Sequence, residues 1–282
     1  MEAGGDQLTV VVPVWDSYVG PALLEAVESV RRQSMPARIL VVDNRSDVPV
    51  PPLEGASTVR SPVRLRAGGA RNVGLEHVET PYVVFLDADD VLVDGALETM
   101  LQLARTRSDA VAWVLGIVDG VSGRRHRSPR RLGRFLAPFP PAFAVANAMW
   151  SLLPTQGATL LRTELVREVG GYDDSDRGGD DWPFCAALAF RGSVAFSTAP
   201  GLVYRWRPAS PGGEETPRPL IAANAVRVRR RLERDAGLPR WTRWVLPTLP
   251  ASHALALNFV RPVVRGLRRI RGRIRLSQPE SL

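Results

Sequence analysis

Three carboxylates within four residues, Asp87, Asp89 and Asp90, follow directly on the apolar run Tyr82-Val83-Val84-Phe85-Leu86. Such a run reads as a buried strand entered through the turn at Thr80-Pro81. Acids clustered at the end of a buried strand are electrostatically costly unless a cation shares the site. Hard carboxylate oxygens suit Mg²⁺ or Mn²⁺. An Asp-rich turn capping a helix from about Asp94 would account for the same residues. Two further acidic positions stand far away in the chain. Asp43 closes the run Arg38-Ile39-Leu40-Val41-Val42, and the pair Asp180-Asp181 precedes Trp182-Pro183. Proline is comfortable in a first helical turn, which puts Asp181 at or near a helix N-terminus, where a carboxylate is stabilised.

The elements that must position these acids alternate strand and helix. Leu8 to Trp15 is a buried first strand, and Ala22, Leu23, Ala26, Val27 and Val30 repeat at helical spacing until Met35-Pro36 stops them. Arg38 to Asn44 is the second strand, and Thr58-Val59 marks a short third. Ala67 to about Glu79 is a helix, Tyr82 to Leu86 the next strand, and Asp94 to Arg105 another helix. This succession predicts an α/β fold with a doubly wound, mostly parallel sheet flanked by helices. Pro13-Val14-Trp15, Asp43 and Asp87/Asp89 then fall at one rim, where such sheets bind nucleotides. Farther on, Ala110–Val118 and Ala158–Leu161 read as strands. Thr163–Val169 reads as a helix capped by Thr163 and stopped by Gly170-Gly171. A polar, Gly-rich loop runs from Tyr172 to Trp182, with a helix from about Pro183 to Phe190. Val194–Ser197 and Leu202–Trp206 are two closing strands, and Pro208 to Pro219 is the predicted boundary. The domain reading is therefore 1–215 for the body and 216–282 for a helical extension.

Charge separates these two parts. The net charge is +8, and every one of the 37 basic residues is arginine. From Arg218 onward there are 15 Arg against Glu233, Asp235 and Glu280, a net of +12, which leaves −4 for the body. Within the extension a helix over about Leu220–Asp235 is expected. A second, over 260–276, would place Val260, Val263, Val264, Leu267, Ile270 and Ile274 on one face walled by arginine. That pattern suits an anionic membrane surface, and equally packing on the body or on a second subunit. The segment Arg124–Arg134 holds six Arg and reads either as a solvated loop or as an anion-binding one. The arginines of the extension lack interleaved aromatics, so no nucleic acid is expected. The single Cys185 excludes an internal disulfide, and no signal peptide or membrane span is read. A cytoplasmic protein is expected, with peripheral attachment to the inner face of the plasma membrane open through 260–276.

The motifs, taken in order, resemble those of glycosyltransferase family 2 enzymes of the GT-A fold, over about Leu8 to Arg207. They are Val12-Pro13-Val14-Trp15, Val41-Val42-Asp43-Asn44, Ala70-Arg71-Asn72-Val73-Gly74, Leu86-Asp87-Ala88-Asp89-Asp90, and Gly170-Gly171-Tyr172-Asp173 followed by Asp180-Asp181-Trp182. The resemblance implies a Rossmann-like GT-A domain that moves a sugar from a nucleotide-diphosphate donor to an acceptor hydroxyl, with inversion at the anomeric carbon. It implies a divalent cation, Mn²⁺ or Mg²⁺, on Asp89, with Asp87 on the cation or the ribose. Asp43 would contact the base while Pro13 and Trp15 line its face, and Arg71 would support the ribose-phosphate. Asp181 would be the general base, with Asp180 beside it, and Trp182 either a sugar platform or a core residue. The acceptor would be an envelope glycan, a lipid-linked glycan or another hydroxyl, anionic if Arg124–Arg134 lies on the acceptor side.

Two positions depart from the pattern. Asp180 stands where the family carries Glu, and Arg207 stands where many relatives carry a metal-ligating His. Arginine cannot ligate a cation, so a metal here would rest on Asp89, diphosphate and water. The other reading is a catalytically impaired GT-A-fold protein acting as a membrane-associated binding module. A nucleotidyltransferase would carry a Gly-rich loop with Lys or Arg after the first strand, and Trp15-Asp16-Ser17-Tyr18 offers none.

Overall fold

β1 (Leu8–Val14) is buried at all seven positions because it lies inside the sheet, with a parallel neighbour on each side. The computed structural model describes residues 7–123, 131–153, 156–173, 181–205, 218–235 and 237–248. On one side of β1 lies β2 (Arg38–Asp43), followed by β3 (Ser57–Arg60); on the other lies β4 (Tyr82–Phe85). The chain thus builds outward from β1 in one direction and then returns to its other flank at β4. That is the topological switch at which the carboxyl ends of strands open a crevice. Beyond β4 the order continues as β7 (Thr159–Arg162), β6 (Ala110–Asp119), β8 (Ser193–Tyr204) and β5 (Val91–Leu92). Four of the seven pairings are parallel, and those of β7 with β4 and β6, and of β5 with β8, are antiparallel.

Helices cover both faces, and the period-two alternation of β1 shows it. Val10, Val12 and Val14 pack with α1 (Pro21–Arg31) and α3 (Ala96–Thr106). Val11 faces the other way, toward α2 (Ala67–Glu76), α5 (Pro140–Trp150), α6 (Thr163–Glu168) and α7 (Asp181–Ala189). α2 has little apolar surface of its own and lies unusually close to the sheet. A Cβ on Gly74 would overlap Cγ1 of Val11 and stand 3.0 Å from Cγ2 of Val42. The glycine that ends Ala70-Arg71-Asn72-Val73-Gly74 is therefore what lets Arg71 approach the strand ends.

Several expectations change. β8 is one twelve-residue strand rather than two. Register shifts opposite it, at Val114/Gly116 and Gly116/Ile117, accommodate Ala199-Pro200-Gly201, which reads as a turn in one dimension. Arg131 opens a short helix, α4 (Arg131–Leu136), instead of continuing a loop. α5 has no counterpart in the sequence reading, because a segment apolar on every side shows no helical period. Thr163 does not cap α6: it is the first helical residue, its amide bonds the carbonyl of Pro81 at 2.9 Å, and no side-chain cap forms.

α8 (Arg218–Arg234) packs on α7 through Ala225, Val228 and Leu232, which join the core of the body. The expected 260–276 helix, residues 208–217 of the expected boundary and the segment 124–130 lie outside the described residues. Among the described residues no helix is long and apolar enough to cross a membrane.

Candidate active site

Because β2, β1 and β4 run parallel, their carboxyl ends share one edge. Val14 stands opposite Asp43 on one side and Val11 opposite Phe85 on the other, so Asp87 ends nearly level with Asp43. Two strand spacings, about 10 Å, separate them in backbone terms. Pro13 is buried and Trp15 half-buried between them, with the Trp15 ring tilted on Tyr18 at a centroid distance of 4.9 Å.

Asp43 is engaged within its own loop. Its Oδ1 accepts from the Ser46 amide at 2.8 Å, and its Oδ2 accepts from the Val50 amide at 3.4 Å and from the Arg60 guanidinium. Burial alone would raise this carboxyl, but the Ser46 amide and hydroxyl, the Val50 amide and Arg60 outweigh it and hold the group below the usual carboxylate range. The neighbouring loop is tied by Asn44, which exchanges two hydrogen bonds with the backbone of Leu65, and by an ion pair of Arg64 with Asp16. Neither Arg60 nor Arg64 carried any signal in the sequence beyond lying after a short strand.

At β4 the acids are held from α2. Arg71 Nη2 donates to Asp87 Oδ1 at 2.6 Å, and the Arg71 guanidinium lies 5.2 Å from the ring centre of Tyr172. Tyr172 in turn stacks on Phe184 of α7 at 4.1 Å and meets Phe85 edge-on at 5.3 Å. Asn72 fixes this tyrosine by its backbone: Oδ1 accepts from the Tyr172 amide at 2.8 Å, and Nδ2 donates to the Tyr172 carbonyl at 2.9 Å. Gly171 has φ of 61°, and a Cβ there would overlap Asn72 Oδ1. Two motifs about a hundred residues apart are thus one device. α8 closes it from behind, since Arg231 donates to the carbonyls of Val169 and Gly171.

Asp90 differs from its neighbours. It is 1% exposed, its Oδ1 accepts from the Arg205 amide at 3.0 Å, and its buried Oδ2 has no hydrogen-bond partner. Burial first, then the charges of Asp87 and Asp89, push it up to about 8 against the pull of the Arg205 amide. The folded chain therefore holds a proton that the unfolded chain has lost above about pH 4. Stability contributed by that proton is full below this pH and disappears as pH rises through about 8. In EDTA, the urea midpoint of the wild type should fall between about pH 5 and pH 8. In Asp90→Asn the fall should be smaller, and equal slopes in the two proteins would remove this account.

Asp181 is the first residue of α7 and is half-buried. It lies three positions before Phe184, the spacing of residues on one helix face, and the Phe184 ring is the one that stacks on Tyr172. Trp182 is a core residue: it is 8% exposed and its indole N–H donates to the Asn147 carbonyl at 2.8 Å. Asp180, Trp206 and Arg207 lie outside the described residues. Asp89 is half-buried and near enough to Asp90 for its charge to act on that carboxyl. Among the described residues no three His, Cys, Asp or Glu side chains converge as a metal-binding set.

The model of the family described as glycosyl transferase family 2 matches residues 9–170, more than half of the chain. The chain belongs to glycosyl transferase family 2. Among curated proteins it is similar to the pre-mycofactocin glycosyltransferase of Mycobacterium tuberculosis, 30% identical over 198 residues. That match covers 66% of this chain, which spans about 40% of the relative's length. Among solved structures, S. aureus TarS 1–349 in complex with UDP-GlcNAc aligns with TM-score 0.65 at 14% identity, over 90% of this chain and 73% of that one. The mannosyltransferase PcManGT from Pyrobaculum calidifontis, in complex with GDP-Man and Mn²⁺, aligns with TM-score 0.59 at 19% identity, over 97% and 81%. At such identities the likeness is one of fold, here GT-A. In this glycosyl transferase family 2 chain the matched stretch stops at Gly170, so Tyr172, Asp181 and α8 lie beyond it.

Proposed function

We propose that this chain transfers a sugar from a nucleoside diphosphate donor to an acceptor hydroxyl, with inversion and with help from a divalent cation. The observation that carries the reading is the acid cluster at the β4 end of the topological switch, where Asp87 is anchored by Arg71 and leaves Asp89 as its neighbour. Burial first, and then the charges of Asp87 and Asp89, raise Asp90 to about 8, and the two charged neighbours suit a cation. By the family resemblance, Asp89 would be the principal protein ligand, with Asp87 second. The bound cation would neutralise charge on the departing diphosphate.

The residues of the chain do the rest. Pro13 and Trp15 line the place for the base, in a loop that Asp43 organises and could also present to it. Arg71 lies where a ribose-phosphate would pass. Asp181, its charge favoured by the α7 N-terminus, removes the acceptor proton as the acceptor oxygen bonds to the anomeric carbon. The bond from that carbon to the diphosphate oxygen breaks, and the nucleoside diphosphate leaves with the electron pair. Asp180 would assist from the adjacent position. The acceptor we propose is an envelope glycan or a lipid-linked glycan.

Thermal shift with UDP-, GDP- and dTDP-sugars, each with and without Mn²⁺, tests the donor half. One nucleotide series should raise Tm, and EDTA should abolish most of the rise. No response to any series would favour a binding module without turnover, and a rise indifferent to EDTA would remove the cation from the mechanism.

A further inference from the structure

α4 presents to solvent a pattern that the transfer reaction does not use. Its inward residue is Gly133, where a Cβ would lie 3.6–3.7 Å from Leu152, Phe143 and Phe196, so the helix sits flat on the body. Leu132 and Phe135, one turn apart, face outward with exposures of 44% and 70%, and Phe139 follows at 59%. Arg131 and Arg134 form a parallel, exposed stripe. With Phe135 they line a shallow, open depression of the surface. Local hydrogen bonds join it to the next helix: the amides of Ala137 and Phe139 bond back to Gly133 and Leu136, and the Phe143 amide bonds to Phe139 as α5 begins. α5 is joined in turn to α7, the helix that starts at Asp181, through Trp182 to Asn147 and Asn147 to Cys185.

We infer that α4 and Phe139 are a contact surface for an anionic lipid bilayer. Leu132, Phe135 and Phe139 enter the boundary between headgroups and acyl chains, and Arg131 and Arg134 engage lipid phosphates. Two features select this partner. An apolar stripe beside an arginine stripe is the arrangement of an interfacial helix, and the opposing charge of the bilayer matches both arginines. This surface is separate from the expected 260–276 helix, and lipid binding is read without turnover, so its outcome is independent of the transfer mechanism.

The test is flotation of the full chain with vesicles of phosphatidylcholine alone or mixed with phosphatidylglycerol. Wild type should float with the mixed vesicles only. Arg131→Ala and Arg134→Ala should each weaken binding about five-fold. Phe135→Ser combined with Phe139→Ser should weaken it about ten-fold or more, with Tm and nucleotide-sugar binding unchanged. Because Cys185 is buried, an environment-sensitive dye on Phe139→Cys reports insertion directly and should shift to the blue on the mixed vesicles. Flotation of the double serine variant equal to wild type, equal binding to neutral vesicles, or a silent dye would each overturn the assignment.

Discussion

Asp181→Asn is expected to lower kcat by about 10²–10⁴-fold, the usual worth of a positioned general base, while donor affinity stays at the wild-type value. The amide keeps the size of the side chain and one acceptor oxygen at the head of α7, but it cannot take a proton. The stacking of Tyr172 on Phe184, three residues along, is untouched by the change. Asp89→Asn should behave in the opposite way, losing Mn²⁺-dependent donor binding first. Calorimetric titration with the stabilising nucleotide-sugar separates the two effects, and turnover can be followed as release of nucleoside diphosphate. An Asp181→Asn enzyme with wild-type turnover would remove the carboxylate from the mechanism and shift attention to Asp180.

Asn72→Ala should be the most damaging substitution outside the reacting groups. It strips the Tyr172 amide and carbonyl of their partners at 2.8 and 2.9 Å in a largely buried setting. Leaving two backbone groups unsatisfied costs about 2–5 kcal/mol, a large share of a typical domain's stability and roughly 5–15 °C in Tm. Activity should fall further than stability. Tyr172 is the surface on which Arg71 lies, and Arg71 is what holds Asp87. Asn72→Asp keeps one acceptor but cannot donate, and should fall between alanine and wild type. Thermal melts of the three proteins decide this, and a Tm for the alanine variant indistinguishable from wild type would mean that the two motifs are not interlocked.

Those two residues also show what could be read in one dimension. Asp181 was legible because a proline after an acid pair marks a helix start. Asp87 and Asp89 were legible because a β-branched run reports a buried strand, and such a strand must end at an edge. Asn72 and Tyr172 stood in recognisable motifs, yet nothing near either one indicates that they bind each other. Their partnership is a long-range contact with no local periodicity. Trp182 was equally placed for a sugar platform or for the core, and only the carbonyl of Asn147 decides for the core. Asp43 stood where an acceptor for a nucleobase belongs. The fold surrounds it with Ser46, Val50 and Arg60, donors whose arrival depends on how the β2 loop closes.

By itself the amino-acid order determined β1 to β4, the helices α1 to α3 that flank them, and the family. These follow from hydrophobic period, from breakers, and from short runs in which each residue's role depends on its immediate neighbours. The tertiary structure alone decided which acid is tied to Arg71, which is buried and raised above the usual carboxylate range, and that α8 closes on the Gly170-Gly171 turn. Each of these depends on distance through space and on the exclusion of water, and neither quantity exists until the sheet and its helices have packed.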